Sequence, residues 1–480
     1  MYAHPEHFHA GAVNPRSELD ERWRELCSQY LPFPSENSIW LLSRSAAASD
    51  PEQGWKIHVS ATVLTACTVL EKIAPLLSGC GILFKAPNSL IEAQKINSGL
   101  YYGYSQVGKL FTVYPGTPAE AVNIARQLYE LLGSTSAPTV PFDRRLYPDS
   151  CIYYRYGAFK RLEIENEDGT RTLAIRDPQG RLVPDLRDAP AGSPVWAVSP
   201  FTEQPPDAPA TSVESPLKTT YRAFRALTQR GRGGVYEAVD MRHASPRFCI
   251  IKEGRREGEL NWDGRDGSWR VRNEESVLAS LRAASVEVPR IYDSFGVDGN
   301  YYLVTEFIEG ETLQAHLLRR RRRLSMSRAL RLGAGVALLL ARIHAAGWSW
   351  RDCKPSNIML TKTGALRPLD FEGGCPGDRP DPMPWGTQGF TPPERLPDAV
   401  SRVYEDLYAL GATIHLLLTG ELPRPSSPTP LGKLRRGIPS EVCRLIAGLL
   451  AVNVGRQPSA QDAADRLLEI SPAANHASKA

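Results

Sequence analysis

The densest chemistry in the chain lies in WSWRDCKPSNIML, residues 348–360. It sets a carboxylate, Asp352, beside an ammonium two residues on, Lys354, and a carboxamide five residues on, Asn357. Those types in one short loop suit transfer of a phosphoryl group. Asp352 can accept or orient the proton of an attacking hydroxyl, Lys354 can offset charge on the moving phosphoryl, and Asn357 can ligate a magnesium ion. Strand-like sequence then leads to LDFEGG, which brings a further carboxylate, Asp370, one that could serve as a second oxygen ligand to such an ion.

Other elements must hold a nucleotide in register with these groups. GRGGVYEAVD, with Gly231, Gly233, Gly234 and Val235, reads as a turn between two strands. Glycine there lets backbone N–H groups reach phosphate oxygens that a side chain would keep away. A third loop glycine is missing: either Tyr236 replaces it or the loop is shorter. Lys252, in FCIIKEG, falls on the next predicted strand, and acidic residues follow in RNEESVLASL. A strand-rich stretch from about 217 to 308 gives way to helical segments from about 312.

In that order, over roughly residues 215–470, these positions resemble the protein-kinase fold. The resemblance implies that Lys252 contacts the α- and β-phosphates of ATP or GTP bound with Mg2+. The E-x-x-V-L spacing favours Glu274 as its helical partner, with Glu275 as the alternative. GTQGFTPPERL is similar to the end of an activation segment, with Pro393 and Glu394 in its P-E positions. Asp406 would begin a buried helix, and Arg456 is placed to pair with Glu394. Two positions depart from the family: Trp350 stands for the usual histidine, and Glu372 for the glycine after Asp-Phe. Because Lys252, Asp352 and Asp370 are all retained, an atypical but active kinase is expected.

The DFE sequence, GGVY and WRDCKP together resemble the kinase domain of class III lanthipeptide synthetases. Those enzymes phosphorylate Ser and Thr of a ribosomal precursor peptide, leader plus core, and then eliminate phosphate to leave dehydroalanine or dehydrobutyrine. GWKIHVSAT, FKAPNSL, GKLFTVYP, DRRLYP and YYRYGAF, within residues 54–159, resemble their lyase region, itself related to bacterial phosphothreonine lyases. Elimination removes an unactivated α-proton and expels a phosphate of nearly two negative charges. It therefore needs a base, an acid and several cations. By resemblance Lys85 is the base and His58 the acid. Lys56 shares a strand face with His58 by alternation and would bind phosphate. Lys109, Arg145 and Arg155 would complete the cradle, with Arg144 competing. Each of these cations alone is an ordinary strand-edge residue. The order of the motifs is what argues for a site. The alternative is a Ser/Thr kinase whose N-terminal domain only binds substrate or regulates.

A chain of 480 residues is expected to form two domains. The fold class is α+β. A mixed α/β phosphothreonine-lyase-like domain spans 1–200, a Pro- and Ser-rich linker 201–216, a two-lobed protein-kinase-like domain 217–470 and a polar tail 471–480. Full-length family members continue into a cyclase-like domain, and the resemblance here ends near 470. The expectation is a dehydratase without its own cyclase, as in lipolanthine pathways, partnered by a flavin-dependent peptide decarboxylase or separate cyclase. A net charge of +4 is too small to argue for nucleic acid. Eight scattered cysteines without CxxC argue against a disulfide framework or zinc site and for a reducing cytoplasm. No signal peptide is evident, and the apolar stretch Leu332–Gly347, broken by Arg342, reads as a buried helix rather than a membrane span. The Arg319–Arg323 run reads as a solvated helix end, with acidic-leader binding as its functional alternative. YYGYSQ, residues 101–106, either lines a peptide path or packs on the lyase sheet.

Overall fold

The computed structural model describes residues 15–35, 38–186, 193–201, 215–242, 245–320, 323–379, 381–394, 401–424, 429–451 and 457–470. Most of the expected linker, the whole tail and Arg456 lie outside these residues. The fold is α+β.

The N-terminal half opens with α1 (Pro15–Tyr30), β1 (Phe33–Pro34) and β2 (Trp40–Leu42). Then come β3 (Gln53–Val59), α2 (Ala66–Gly79), β4 (Leu83–Pro87), α3 (Leu90–Ser98), β5 (Phe111–Tyr114), α4 (Pro118–Leu132), β6 (Arg144–Arg145) and β7 (Ile152–Ala158). The strands form one sheet in the order β1-β2-β4-β5-β3-β7-β6. Alternation along β3 sorts its side chains: Trp55, Ile57 and Val59 face a core with Leu70, Ile73 and Leu128, and Lys56 and His58 face the other way. Helix α4 begins where Thr117 accepts from the Glu120 N–H and ends at Gly133, whose φ of 56° suits glycine. A small antiparallel sheet follows, from β8 (Glu163–Glu165), β9 (Arg171–Arg176) and β10 (Leu182–Pro184). Phe201 then returns to the main core, stacked on Tyr154 at 3.9 Å and edge-on to Trp55 at 5.9 Å.

The short helix α5 (Pro216–Thr219) leads into a second sheet of β11 (Tyr221–Arg230), β12 (Gly233–Asp240), β13 (Arg247–Gly254), β14 (Ile291–Val297) and β15 (Asn300–Glu306). Its order is β11-β12-β13-β15-β14, with α6 (Gly267–Ala283) packed on it. The β11–β12 pairing runs to Arg230 opposite Gly233, so only Gly231 and Arg232 form the tip. The loop is thus shorter, and Tyr236 lies within β12 rather than at the turn. The helical lobe contains β16 (Gly310–Thr312), α7 (Leu313–Arg319), α8 (Met326–Ala345), β17 (Trp348–Ser349), β18 (Ile358–Thr361), β19 (Leu366–Pro368) and β20 (Cys375–Pro376). It closes with α9 (Val403–Thr419), α10 (Leu431–Leu434), α11 (Ser440–Leu450) and α12 (Ala460–Ile470). Helix α8 takes the apolar stretch expected to be buried, and packs Leu340 and Ile343 into one core with Leu410, Ile414 and Leu467. Among the described residues no helix is long and apolar enough to cross a membrane, and all eight cysteines are free.

Phe201 contributes a nearly buried ring from the far end of the N-terminal half. Phe201→Ala should destabilise that half by about 3 kcal/mol, read as an earlier urea transition in tryptophan fluorescence. An unchanged midpoint would show that the Trp55 cluster does not need it.

Candidate active sites

The first site lies between the second sheet and the helical lobe. Lys252 on β13 donates to both oxygens of Glu274 on α6, at 2.8 and 2.6 Å, and lies 3.4 Å from Asp370 Oδ1. Burial opposes the Lys252 charge, but Asp370, Glu274 and Glu372 outweigh it and hold its pKa above the ordinary lysine value. Glu275, the alternative partner, instead accepts from Ser294 and Tyr301. Asp370 takes a left-handed backbone, φ 64°, a strained conformation for a residue with a side chain. Burial would raise its pKa; Lys252, Arg232 and Lys354 reverse that and keep it ionised.

The catalytic loop closes on itself. Lys354 Nζ and Asn357 Nδ2 donate to Asp352 Oδ2 at 2.6 and 2.8 Å. Thr387 donates to Asp352 Oδ1 at 2.9 Å and accepts from Lys354 at 2.6 Å. Burial raises the Asp352 pKa against the pull of Lys354, the direction a carboxylate would need if it were to take a proton. Trp350 fits its unusual position: its indole N–H donates to the Asp370 carbonyl at 2.8 Å, and its ring stacks on Phe371 at 5.3 Å. The backbone N–H groups of Trp350 and Arg351 both donate to Asp406, which is thereby a structural residue. Glu372 reaches Arg232 at the hairpin tip, 3.5 Å away.

Asp370, Glu274 and Glu372 present oxygens within 4.8 Å of one another. That all-oxygen set, with the amide of Asn357 near Asp352, suits a hard cation. Asn357 and Asp370 would hold Mg2+, which when bound neutralises charge on the triphosphate.

The activation segment is tied down by carboxylate chemistry that its sequence did not reveal. Asp381 Oδ2 accepts from Arg351 of the catalytic loop at 2.9 Å and from Arg265, just before α6, at 2.7 Å. Burial would raise the Asp381 pKa, and the two arginines together hold it below the usual carboxylate range. One carboxylate thus joins the catalytic loop, the activation segment and the approach to the helix that bears Glu274.

The second site lies on the open face of the seven-stranded sheet. Lys85 pairs across the strands with Thr112, Thr112 with His58, His58 with Tyr153, and Tyr153 with Arg145. Directly paired residues share a face, so this row sets the expected base, acid and one arginine along one face, with Thr112 between the first two and Tyr153 between the last two. Lys56 pairs with Arg155 one step along the same face. Register also separates the two arginines: Arg144 pairs with Tyr154, and hence with the Ile57 row that faces the core. Arg145 donates to the Tyr153 hydroxyl at 2.8 Å. Lys85 Nζ sits over the Trp40 ring, 4.2 Å from its centroid.

Two carboxylates in this site were missed. Asp143 Oδ2 lies 2.5 Å from His58 Nδ1, and its Oδ1 lies 2.9 Å from Lys109 Nζ. Asp185 pairs with Arg155 at 2.5 Å. Burial drives His58 down to about 3, with Lys109 and Lys56 pushing the same way against Asp143. Asp143 is held at about 2: burial opposes its charge, and His58 and Lys109 overcome that. The resting pair is therefore a neutral imidazole on an ionised carboxylate, which assigns the proton to Nδ1. Asp143 opens the DRRLYP motif and Thr387 lies within GTQG, but only contacts across the fold reveal their roles.

Of the arginine run, Arg319 pairs with Glu311 and Arg323 donates to the Leu434 carbonyl, while Arg321 and Arg322 lie outside the described residues. Tyr101 and Tyr102 are exposed, and Tyr104 packs between Phe142 and the Arg255 guanidinium, where the two halves of the chain meet.

The two lobes and the Lys252–Glu274 pair, set against Asp352 and Asp370, define a protein kinase. Residues 224–467, just over half of the chain, match the protein kinase domain family, and the chain belongs to it. Residues 33–213 match the family described as RamC, N-terminal domain. The chain is similar to the probable SapB synthase of Streptomyces coelicolor, 33% identical over 380 residues, which cover 76% of this chain and 40% of that protein. It is also similar to serine/threonine-protein kinase F of Synechocystis sp., 31% identical over 232 residues, 44% of this chain and 46% of that protein. The matches thus span less than half the length of each of these relatives.

Two outcomes test this geometry. Since His58 is held neutral, its folded pKa lies below the unfolded value of about 6.5. The unfolded chain protonates first as pH falls, so the stability due to His58 is full above about pH 6.5 and is lost toward about pH 3. His58→Gln should flatten that slope in the N-terminal unfolding transition, and a curve parallel to the native one would contradict the neutral assignment. For the activation segment, Asp381→Asn should slow phosphoryl transfer by roughly tenfold or more, as expected for losing charge-assisted hydrogen bonds. An unaltered kcat would mean that the Arg351–Asp381–Arg265 bridge does not set the segment.

Proposed function

We propose that the protein is a peptide dehydratase of lanthipeptide type, phosphorylating Ser and Thr of a ribosomal precursor peptide and then eliminating the phosphate. The observation that carries this reading is the row Lys85–Thr112–His58–Tyr153–Arg145, with Lys56 and Arg155 beside it, in the same chain as a complete set of kinase groups. A regulatory or docking domain has no need of these cations on one sheet face with a neutral histidine among them. The similarity to a SapB synthase across both halves supports it.

In the first step the hairpin Gly231–Gly234 with Val235 covers the nucleotide, and Lys252, fixed by Glu274, holds its phosphates. Asp352 takes the hydroxyl proton of the peptide, and Lys354 offsets charge on the moving phosphoryl. The phosphoserine or phosphothreonine so made is the substrate of the second step.

There Lys56, Lys109, Arg145 and Arg155 hold the phosphate. Its arrival adds negative charge beside His58 and raises the imidazole pKa, so the ring gains a proton on Nε2 while Asp143 steadies it through Nδ1. Lys85 takes the α-proton, and that electron pair forms the Cα–Cβ double bond. The Cβ–O bond breaks, and His58 protonates the leaving oxygen. Asp143 thus orients the acid, and it and Asp185 balance the cradle's charge before substrate binds.

The test uses precursor peptide, Mg2+ and ATP or GTP, read by mass spectrometry. The native protein should remove one water mass per modified residue. Lys85→Ala should accumulate phosphopeptide, and Asp370→Asn should leave unmodified peptide untouched yet still eliminate from a synthetic phosphopeptide. Native protein that yields phosphopeptide alone would sink the lyase half of the proposal.

A further inference from the structure

The tip of the glycine-rich hairpin is not a free flap. Its Gly231 N–H donates to the carbonyl of Ser98, the last residue of α3 in the other half of the chain, at 3.0 Å. A Cβ placed on Gly231 would lie 1.7 Å from the Asn97 carbonyl oxygen, so only glycine permits this approach. The tip is enclosed from the kinase side as well. A Cβ on Gly258 would lie 2.4 Å from the Gly231 carbonyl oxygen, and one on Gly267 would lie 1.8 Å from that of Arg232. Arg232 accepts from the Arg255 N–H at 2.8 Å, and its side chain meets Glu372.

Asn97 faces both sites. Its side chain is buried, donating from Nδ2 to the Ala61 carbonyl at 2.9 Å and accepting at Oδ1 from the Gly108 N–H at 3.2 Å. Ala61 lies just beyond the strand of Lys56 and His58, and Gly108 immediately precedes Lys109. One carboxamide therefore ties together the backbone segments that follow Lys56 and precede Lys109, two of the four cradle cations, and the same residue's carbonyl abuts the hairpin tip. The path from one site to the other is two consecutive residues of α3: the Asn97 side chain is hydrogen-bonded at the sheet-face end, and at the hairpin end the Asn97 carbonyl packs against Gly231 while the Ser98 carbonyl accepts the Gly231 N–H, the kind of contiguous connection through which coupling travels.

We propose that Asn97 is a positioning residue that couples the two sites: nucleotide in the kinase cleft fixes the hairpin tip, and through Asn97 fixes the Lys109 loop on the peptide phosphate. This rests on the lyase reading above. Occupancy of the kinase site should then strengthen binding of phosphopeptide in the lyase site, and by linkage the phosphopeptide should strengthen nucleotide binding by the same factor.

The experiment uses the full chain, a synthetic phosphoserine peptide, Mg2+ and a non-hydrolysable ATP analogue. Elimination kinetics are measured with and without the analogue, and peptide affinity by fluorescence anisotropy. Native protein should show a KM several-fold lower with analogue bound. Asn97→Ala should eliminate with the same KM in both conditions. Gly258→Ala, which displaces the tip from the opposite side without touching the cradle, should abolish the nucleotide effect too and covers the case in which Asn97→Ala fails to fold. Identical native kinetics with and without analogue would overturn the coupling, as would a native-sized effect in Asn97→Ala. If no elimination occurs at all, the lyase reading fails. Anisotropy then decides the coupling separately: a nucleotide-dependent phosphopeptide affinity lost in Asn97→Ala upholds it, and no dependence or no binding refutes it.

Discussion

A buried cation costs several kcal/mol unless a carboxylate meets it, and this chain buries cations in both halves, among them Lys56, Lys109, Arg155, Arg351 and Arg402. Around that constraint both halves are arranged. Lys252 can stand in the kinase cleft because α6 brings Glu274 against β13 and the strained backbone of Asp370 turns a second carboxylate toward it. Arg351 can be fully buried because Glu405 and Asp381 flank it. In the other half Asp143 serves His58 and Lys109 together, and Asp185 serves Arg155. Each pairing fixes the relative position of elements far apart in sequence. The electrostatic need is thus also a folding restraint.

The same pairings explain what the sequence displayed and what it hid. Groups on one element, or within one short loop, could be read from spacing: Lys56 and His58 alternate along β3, and Asp352, Lys354 and Asn357 share a loop. Glu274 was separable from Glu275 because helical period puts only one of them toward β13. Counter-ions were not readable. Asp143 lies 85 residues from His58, and Asp381 lies 30 from Arg351, so no local pattern joins them. Nor does any periodicity place Lys85 level with His58. That follows from the order β4-β5-β3, in which Thr112 sits between them. The choice between Arg144 and Arg145 likewise needed the register of β6, since a slip of one residue exchanges the two faces.

The departures from the kinase pattern make physical sense once their contacts are known. Trp350 donates through its indole nitrogen to the carbonyl of Asp370, the residue with the left-handed backbone, and stacks its ring on Phe371. Glu372 occupies a position whose backbone is not left-handed, so a side chain meets no strain there. Its carboxylate tethers the hairpin tip through Arg232. The shortened hairpin belongs with this change. A two-residue tip has little reach of its own, and the structure compensates by enclosing it between α3 of the other half and the segment around Gly258 and Gly267.

The two clusters of titratable groups share one electrostatic logic. The kinase cleft keeps Asp352 ready to take a proton by burying it, with Lys354 preventing the pKa from rising further. The sheet-face site keeps His58 uncharged by burying it beside Lys109 and Lys56. An imidazole protonated in advance would add one more positive charge to the cradle and raise the cost of keeping it buried. In the proposed elimination, a histidine neutral at rest and charged on phosphate binding would supply its proton only where there is a phosphate to expel. On that proposal the acid would be tied to its substrate without a separate gate.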